Sequence, residues 1–600
     1  MKKLLFLLLV GCQITFAQKT NPNARFAGLD TAFARVLNQW KCAGFAVAVV
    51  EKDKVIYAKG FGYADFDKKI SATENTQFAV GSCTKAFTCA ALGILQNEGK
   101  LDFDKPAREY LPQLKFFNAD LNEKVTLRDM MTHRTGLPRH DESWGLFKTK
   151  STDTLLQRVP FLEPNVGLRE KWQYNNFMYM AQGKIVEELT GKSYRAFVRE
   201  KIYRPLGIVN ENFSVDTMAI YKDRSLGYTV SDDDKITNLD YVDLDVMSSV
   251  GGINSSVNEM AKWAMLWLNN GKYKGQQVLP ADFVREAMSS QMIVQPNFPA
   301  KNSPTLHFEN YGLGWFLSSY QGHYRVEHGG NISGFSSNIC MFPTDSVGIV
   351  VFCNQDVSKV TAIVRNLIAD RLLKLPYKDW QTYLYAPVLK NKIAMQETQK
   401  QTLALKKEAT KSSAHAVETY TGYYANAGYG KFEISLKKDS LFAHFPSNIW
   451  YLKPFGNDVF EAFEVDKKSG ITSDFSTKRI VFDQDINGEI ATANIAFEAT
   501  LPKAIEFVRT AKPKELTKEE LSVYVGEYNL FGTPLKIMLK NEKSLFLIVP
   551  NQPEFELVAV DKNKFNFKGI AGYSVAFNKD ATELSLTQPN GTFKADRKKG

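Results

Sequence analysis

One short turn, and the long apolar run behind it, fixes where this chain must start its core. Phe78-Ala79-Val80-Gly81 is followed by Ser82-Cys83-Thr84-Lys85 and then by the apolar stretch Ala86 to Leu95. The run reads as a buried helix, with Gly81 permitting a sharp entry and the helix N-terminus lending partial positive charge to Ser82. Residues three apart share one helix face, so the Lys85 amine can reach the Ser82 hydroxyl. A free serine is a poor nucleophile, and a neutral amine beside it is one recognised means of activation. The pattern alone is weak, because Ser435-Leu436-Lys437-Lys438 also satisfies it. There the residues alternate as in a strand, and no helix face collects the two groups.

Two further patterns follow in order. Tyr174-Asn175-Asn176 gives Tyr-x-Asn ahead of the helix-like stretch Met178 to Val186, and His328-Gly329-Gly330 leads into Asn331 to Asn338. Leu127 to Pro138 and Gly251 to Ser256 are flanking signatures. Together these resemble the serine β-lactamase and penicillin-binding-protein superfamily. Tyr-x-Asn stands where class A enzymes carry Ser-Asp-Asn, as in the class C, D-aminopeptidase and family VIII esterase branch. The resemblance covers roughly residues 25 to 375.

It implies an α+β fold, with an antiparallel β-sheet flanked by helices and an α-helical lobe. It also implies a serine hydrolase acting through a Ser82 acyl-enzyme. Lys85 and Tyr174 would exchange the proton of Ser82, and which of them is the base stays open. Asn176, His328 and Gly330 would bind substrate, and the backbone N–H groups of Ser82 and Asn331 would form the oxyanion hole. Small esters, D-amino-acid peptides or amides, and β-lactam-like compounds are the implied substrates. Families that bind the β-lactam carboxylate usually carry Lys at the third motif, whereas an ordinary His is mostly neutral at pH 7. Weak β-lactamase activity at most is therefore expected.

The alternative from another class is a non-catalytic, penicillin-binding-protein-like sensor or binder of peptidoglycan fragments, although such proteins usually lose one motif. An α/β-hydrolase would need a Gly-x-Ser-x-Gly elbow, and none occurs. His133 and His140 read as loop-fixing rather than catalytic. None of the seven histidines stands at metal-ligand spacing with a partner, so neither metal nor cofactor is inferred. The net charge of +10 is spread along the chain, with no basic block before Arg597-Lys598-Lys599. It reads as solvated surface and not as a nucleic-acid footprint.

The N-terminus reads as a signal peptide over residues 1–17, with Met1-Lys2-Lys3, the apolar Leu4 to Val10, and a small-residue site at Thr15-Phe16-Ala17. The protein is thus expected to be exported, periplasmic or secreted, with no transmembrane helix, since no run reaches the required ~20 apolar residues. Leu9-Val10-Gly11-Cys12 also resembles a lipoprotein box, the alternative in which Cys12 carries a lipid anchor. Cleavage after Ala17 leaves five of the six cysteines. Buried free thiols are the favoured reading, with a Cys340–Cys353 pair as the alternative.

Six hundred residues imply two to four domains. The hydrolase domain is expected over 25–377 and a linker with helix over 378–417. Beyond it Tyr420-Thr421-Gly422-Tyr423-Tyr424 echoes Tyr524-Val525-Gly526-Glu527-Tyr528, and Ile434 to Phe442 echoes Ile537 to Phe546. This internal repeat predicts two small β-barrels or sandwiches, 418–510 and 517–600. They resemble the lipocalin-like C-terminal domains appended to some of these hydrolases. Packing or lid modules without chemistry is the favoured reading, and carbohydrate or lipid binding the alternative.

Overall fold

The structure is a computed structural model. It describes residues 22–210, 212–231, 233–295, 307–406, 412–466, 470–471, 476–486, 488–501, 503–510, 514–550, 552–568, 573–588 and 591–598. The signal-peptide and lipid-anchor readings on residues 1–17 lie outside them. Among the described residues no helix is long and apolar enough to cross a membrane.

Nine strands form the main sheet: β1 Gly44–Glu51, β2 Lys54–Asp65, β3 Ile70–Ser71, β4 Met292–Ile293, β5 Glu309–Tyr311, β6 Phe316–Tyr320, β7 His323–Ile332, β8 Phe335–Phe342 and β9 Val347–Cys353. Their spatial order is β4-β5-β6-β7-β8-β9-β1-β2-β3, so the two ends of the domain meet where β1 pairs with β9. Tight hairpins join β1 to β2 at Glu51 to Lys54 and connect β7, β8 and β9 in turn.

Successive side chains of β1 serve two different cores. Phe45, Val47 and Val49 pack under helices α1 (Leu29–Trp40) and α5 (Val360–Leu372). The smaller Ala46 and Ala48, with Val50, face the core that holds α2 (Thr84–Asn97), α3 (Asn176–Thr190) and α4 (Val257–Leu268). Ser256 and Glu259, three residues apart as a capping box requires, open α4. A second one, Thr126 with Asp129, opens the short helix Leu127–Met131.

Cys340 stands opposite Ile349 and Cys353 opposite Ser336, so these two cysteines lie four positions apart along the ladder, about 13 Å. They do not pair. Cys42, Cys83, Cys89, Cys340 and Cys353 are all buried free thiols.

Most of the expected linker is a 27-residue helix, α6 (Trp380–Lys406), whose Trp380 indole donates to Asp370 on α5. Two β-barrels follow. Eight strands from Gly422–Asn426 to Ile505–Thr510 close the first, and the pair Gly470–Ile471 extends one of them. The second closes from Gly526–Leu530 to Gly591–Arg597. The sequence repeat has a physical counterpart. The Tyr424 hydroxyl donates to the Tyr420 carbonyl at 2.9 Å, and the Tyr528 hydroxyl to the Tyr524 carbonyl at 3.1 Å. Side chains of each barrel's own strands line its core, with Phe432, Phe460 and Phe482 buried in the first and Phe565, Val575 and Leu584 in the second.

Candidate active site

Ser82 lies on a single 3₁₀ turn, Gly81–Cys83, that runs directly into α2. Gly81 has φ of +50°, a backbone state that disfavours a side chain. One turn on, Lys85 is fully buried, and its Nζ donates to Ser82 Oγ at 3.0 Å and to the Val250 carbonyl at 3.2 Å. The same nitrogen stands 4.8 Å from the centre of the Tyr174 ring and 5.4 Å from that of Tyr179. Burial pulls the Lys85 pKa down to about 7; Asp141 opposes the change and Arg139 adds to it.

Tyr174 is held over this pair. Burial pushes its phenol pKa well up, against a hydrogen bond from Ser82. It therefore stays protonated at neutral pH, whereas Lys85 titrates near that pH. The site thus combines a half-buried hydroxyl, a buried deprotonatable amine and a half-buried phenol donor in one cluster.

The third strand motif braces the nucleophile from the side. A Cβ on Gly330 would lie 2.0 Å from the Val80 carbonyl oxygen and 2.9 Å from Ser82 N, so only glycine fits. The close approach at Gly330 is thus to the backbone that carries Ser82. Ser333-Gly334 form a two-residue turn that makes Ile332 and Phe335 a hydrogen-bonded pair. By alternation, the Asn331 N–H points away from β8. β6 ends opposite Glu327, so that side of Asn331 is left to Gly81, whose Cβ position would be 3.2 Å from Asn331 N.

His328 is turned inward. Its Nδ1 donates to the Gly329 carbonyl at 2.7 Å, and its Nε2 accepts from the Tyr311 hydroxyl at 3.0 Å. Burial, reinforced by Lys85, takes its pKa down to about 3, so the ring is neutral and both nitrogens are engaged. Asn176 donates through Nδ2 to Asp141 Oδ1 at 2.9 Å, while its buried Oδ1 has no hydrogen-bond partner among the described residues.

His133, expected only to fix its loop, holds the chain on both sides of Tyr174. Its carbonyl accepts from Gln173 N at 2.7 Å and its Nδ1 from Asn175 N at 3.1 Å. These are the two chain neighbours of Tyr174. No local signal could have revealed the pairing, because it spans 42 positions. His140 does fix its loop, through Tyr429 Oη at 2.9 Å and the Glu163 carbonyl at 3.2 Å.

The sequence profile described as Beta-lactamase matches residues 29–373. The chain belongs to the beta-lactamase family. A second profile, a domain of unknown function (DUF3471), matches residues 406–508. The beta-lactamase family is a family of hydrolases, and similar proteins are so named, one of which illustrates the match. This is the unguisins hydrolase ungD′ of Aspergillus campestris, 30% identical over 376 residues, which are 59% of this chain and 68% of that one. Protein flp of Staphylococcus aureus (strain COL) is 26% identical over 345 residues, 56% of this chain and 65% of its own length. The octameric penicillin-binding protein homologue from Pyrococcus abyssi shares the fold, with a TM-score of 0.53 and 18% identity over 81% of this chain and 100% of that one.

Proposed function

We propose that this member of the beta-lactamase family is a serine hydrolase that passes through an acyl-enzyme on Ser82. The observation that carries this reading is the buried Lys85 amine, 3.0 Å from Ser82 Oγ, with a pKa brought to about 7. Neutral Lys85 takes the Ser82 proton as Oγ attacks the substrate carbonyl. The Tyr174 phenol, which stays protonated, supplies a proton toward the leaving group and is reprotonated through Lys85. The carbonyl oxygen collects negative charge between the N–H groups of Ser82 and Asn331, each such donor being worth about a hundred- to a thousandfold in rate. Water then releases the acyl group by the same path in reverse.

Small esters and D-amino-acid peptides or amides are the proposed substrates, with little turnover of β-lactams. The neutral, internally bonded His328 supports that restriction, since it offers no cation to a carboxylate. Residues 1–17 as a cleaved export signal, or a lipid anchor at Cys12, complete the proposal. N-terminal sequencing of the mature protein separates these two forms.

Labelling with a fluorophosphonate probe, followed by peptide mapping, tests the central claim. The adduct is expected on Ser82 and absent from Ser82→Ala. An intact protein that binds but never forms an adduct would instead be a non-catalytic binder. Nitrocefin turnover equal to that of p-nitrophenyl esters would overturn the substrate preference.

A further inference from the structure

The segment from Pro138 to Phe147 has two working faces. One looks into the site. Asp141 holds the Asn176 amide at 2.9 Å, the Arg139 guanidinium lies 5.0 Å from the centre of the Tyr174 ring, and the Pro138 carbonyl accepts from Asn175 Nδ2 at 2.6 Å. Arg139 and Asp141 are themselves paired at 2.6 Å.

The other face is held by the first C-terminal barrel. Phe147 leaves the catalytic domain and enters the barrel mouth, where it is fully buried. It stacks on Phe507 at 5.4 Å and meets the edges or faces of Tyr429, Phe432, Phe445 and Phe497 between 5.4 and 6.4 Å. Polar ties flank this plug. Ser143 Oγ donates to the Gly428 carbonyl at 2.6 Å, His140 meets Tyr429 Oη at 2.9 Å, and Ser447 N and Oγ both donate to the Leu146 carbonyl. The buried Arg158 guanidinium donates to the carbonyls of Ser143 and Phe147, locking the base of the plug. An aromatic ring buried among five others is worth more than its area alone, so the grip is strong.

We propose that the first barrel is a working part of the active site. By gripping Phe147 and the residues around it, the barrel fixes Asp141, with its partner Arg139, and through Asp141 the Asn176 amide assigned to substrate binding. Phe147 is thus a positioning residue, acting through Asp141. The assignment gives this barrel a task beyond packing, and it rests on the Ser82–Lys85–Tyr174 reading above. It predicts that loosening the grip harms recognition of the acyl part of the substrate more than it harms the nucleophile. An error of about 1 Å in such placement can cost on the order of a hundredfold.

The test uses the full chain with Phe147→Ala, Phe147→Leu and Tyr429→Phe. Two quantities are measured: kcat and KM on p-nitrophenyl butyrate, and the rate of Ser82 labelling by a small fluorophosphonate. Phe147→Ala is expected to lower kcat/KM about tenfold or more, chiefly through KM, with labelling changed less than about threefold. Phe147→Leu should restore most of the loss, and Tyr429→Phe should shift KM in the same direction by less. Unchanged KM in the folded variants would overturn the proposal, as would labelling and kcat/KM falling together with the folded fraction. If Phe147→Ala does not fold, Tyr429→Phe decides alone, because it removes a single hydroxyl. An unlabelled wild type would sink the hydrolase reading itself, whereas a labelled wild type with indifferent variants sinks only the role of the barrel.

Discussion

The imidazole of His133 lies 4.3 Å from the ring of Tyr174, centre to centre, and its Nδ1 and the backbone carbonyl of the same residue hold the chain on either side of that tyrosine. To accept from Asn175 N, Nδ1 must be unprotonated. Burial, with Lys85 and His328 nearby, keeps the imidazole pKa well below its ordinary value and so preserves that acceptor. A side chain at 133 without an acceptor releases the Asn175 side of Tyr174 and leaves only the backbone tie to Gln173 N.

His133→Ala is therefore expected to lower kcat about ten- to a hundredfold while Ser82 labelling continues. His133→Asn, which can still accept from Asn175 N, should recover part of the loss. Steady-state kinetics of both variants, with thermal melts to compare folded fractions, check this.

The proton balance at Lys85 sets the pH profile. With its pKa at about 7, kcat/KM should rise through that pH and level off above it. His328, at about 3, should contribute no step between pH 5 and 8. Lys85→Arg, which cannot deprotonate, should abolish activity across the whole range. A flat profile from pH 5.5 to 8.5 would contradict the role of Lys85 as base.

The same shift carries a stability penalty. The folded-state value of about 7 lies below the ordinary 10.5 of the unfolded chain. Between these pH values the unfolded chain binds a proton that the folded one does not, so stability rises with pH across that window. Below about 7 the penalty is fully present. Lys85→Met should thus be inactive yet more stable at pH 7.5, by on the order of a few kcal/mol. Urea unfolding of the two proteins at pH 7.5 and 9.5 should show the gap narrowing at the higher pH.

Gly330→Ala forces a methyl group against the Val80 carbonyl and Ser82 N. The strand and the nucleophile turn must then separate, which moves Ser82 and Asn331 apart. A loss of about a hundredfold or more in kcat/KM is expected, with destabilisation of roughly 1–3 kcal/mol. Ester kinetics and chemical denaturation measure the two effects.

Asp129 has a fully buried side chain that accepts from Arg134 Nε at 2.6 Å, Arg169 Nη2 at 2.9 Å and Thr126 N at 3.0 Å. Burial alone would raise its pKa, but Arg169, Thr126 and Arg134 together hold it below the usual range. Asp129→Ala strands Arg134 beside the His133 loop and should cost about 3–5 kcal/mol. A change below about 1 kcal/mol in urea unfolding would mean the network is relaxed by solvent.

Much of this was legible wherever the physics is local. The spacing of Ser82 and Lys85 placed them on one helix face, the Ser256–Glu259 pair announced its capping box, and the repeated tyrosines at 420, 424, 524 and 528 gave two barrels that share one hydrogen bond. What stayed hidden depends on contacts between distant segments. The orientation of His328 is set by Tyr311 on another strand, and the clamp of His133 by a backbone amide far along the chain. Phe147 looked like any loop aromatic, because its binding site is built by residues 429–507. The proposal of Lys85 rather than Tyr174 as base rests on burial, which spacing does not reveal.

The position of β1 has a consequence for the order of folding. Its register partner in β9 is Cys353 for Phe45, and the face carrying Phe45, Val47 and Val49 is covered in part by α5. Without residues 347–372 this strand has one edge unpaired and part of its greasy face bare. The first hairpin is therefore enclosed only once the last strand and last helix of the domain have joined it.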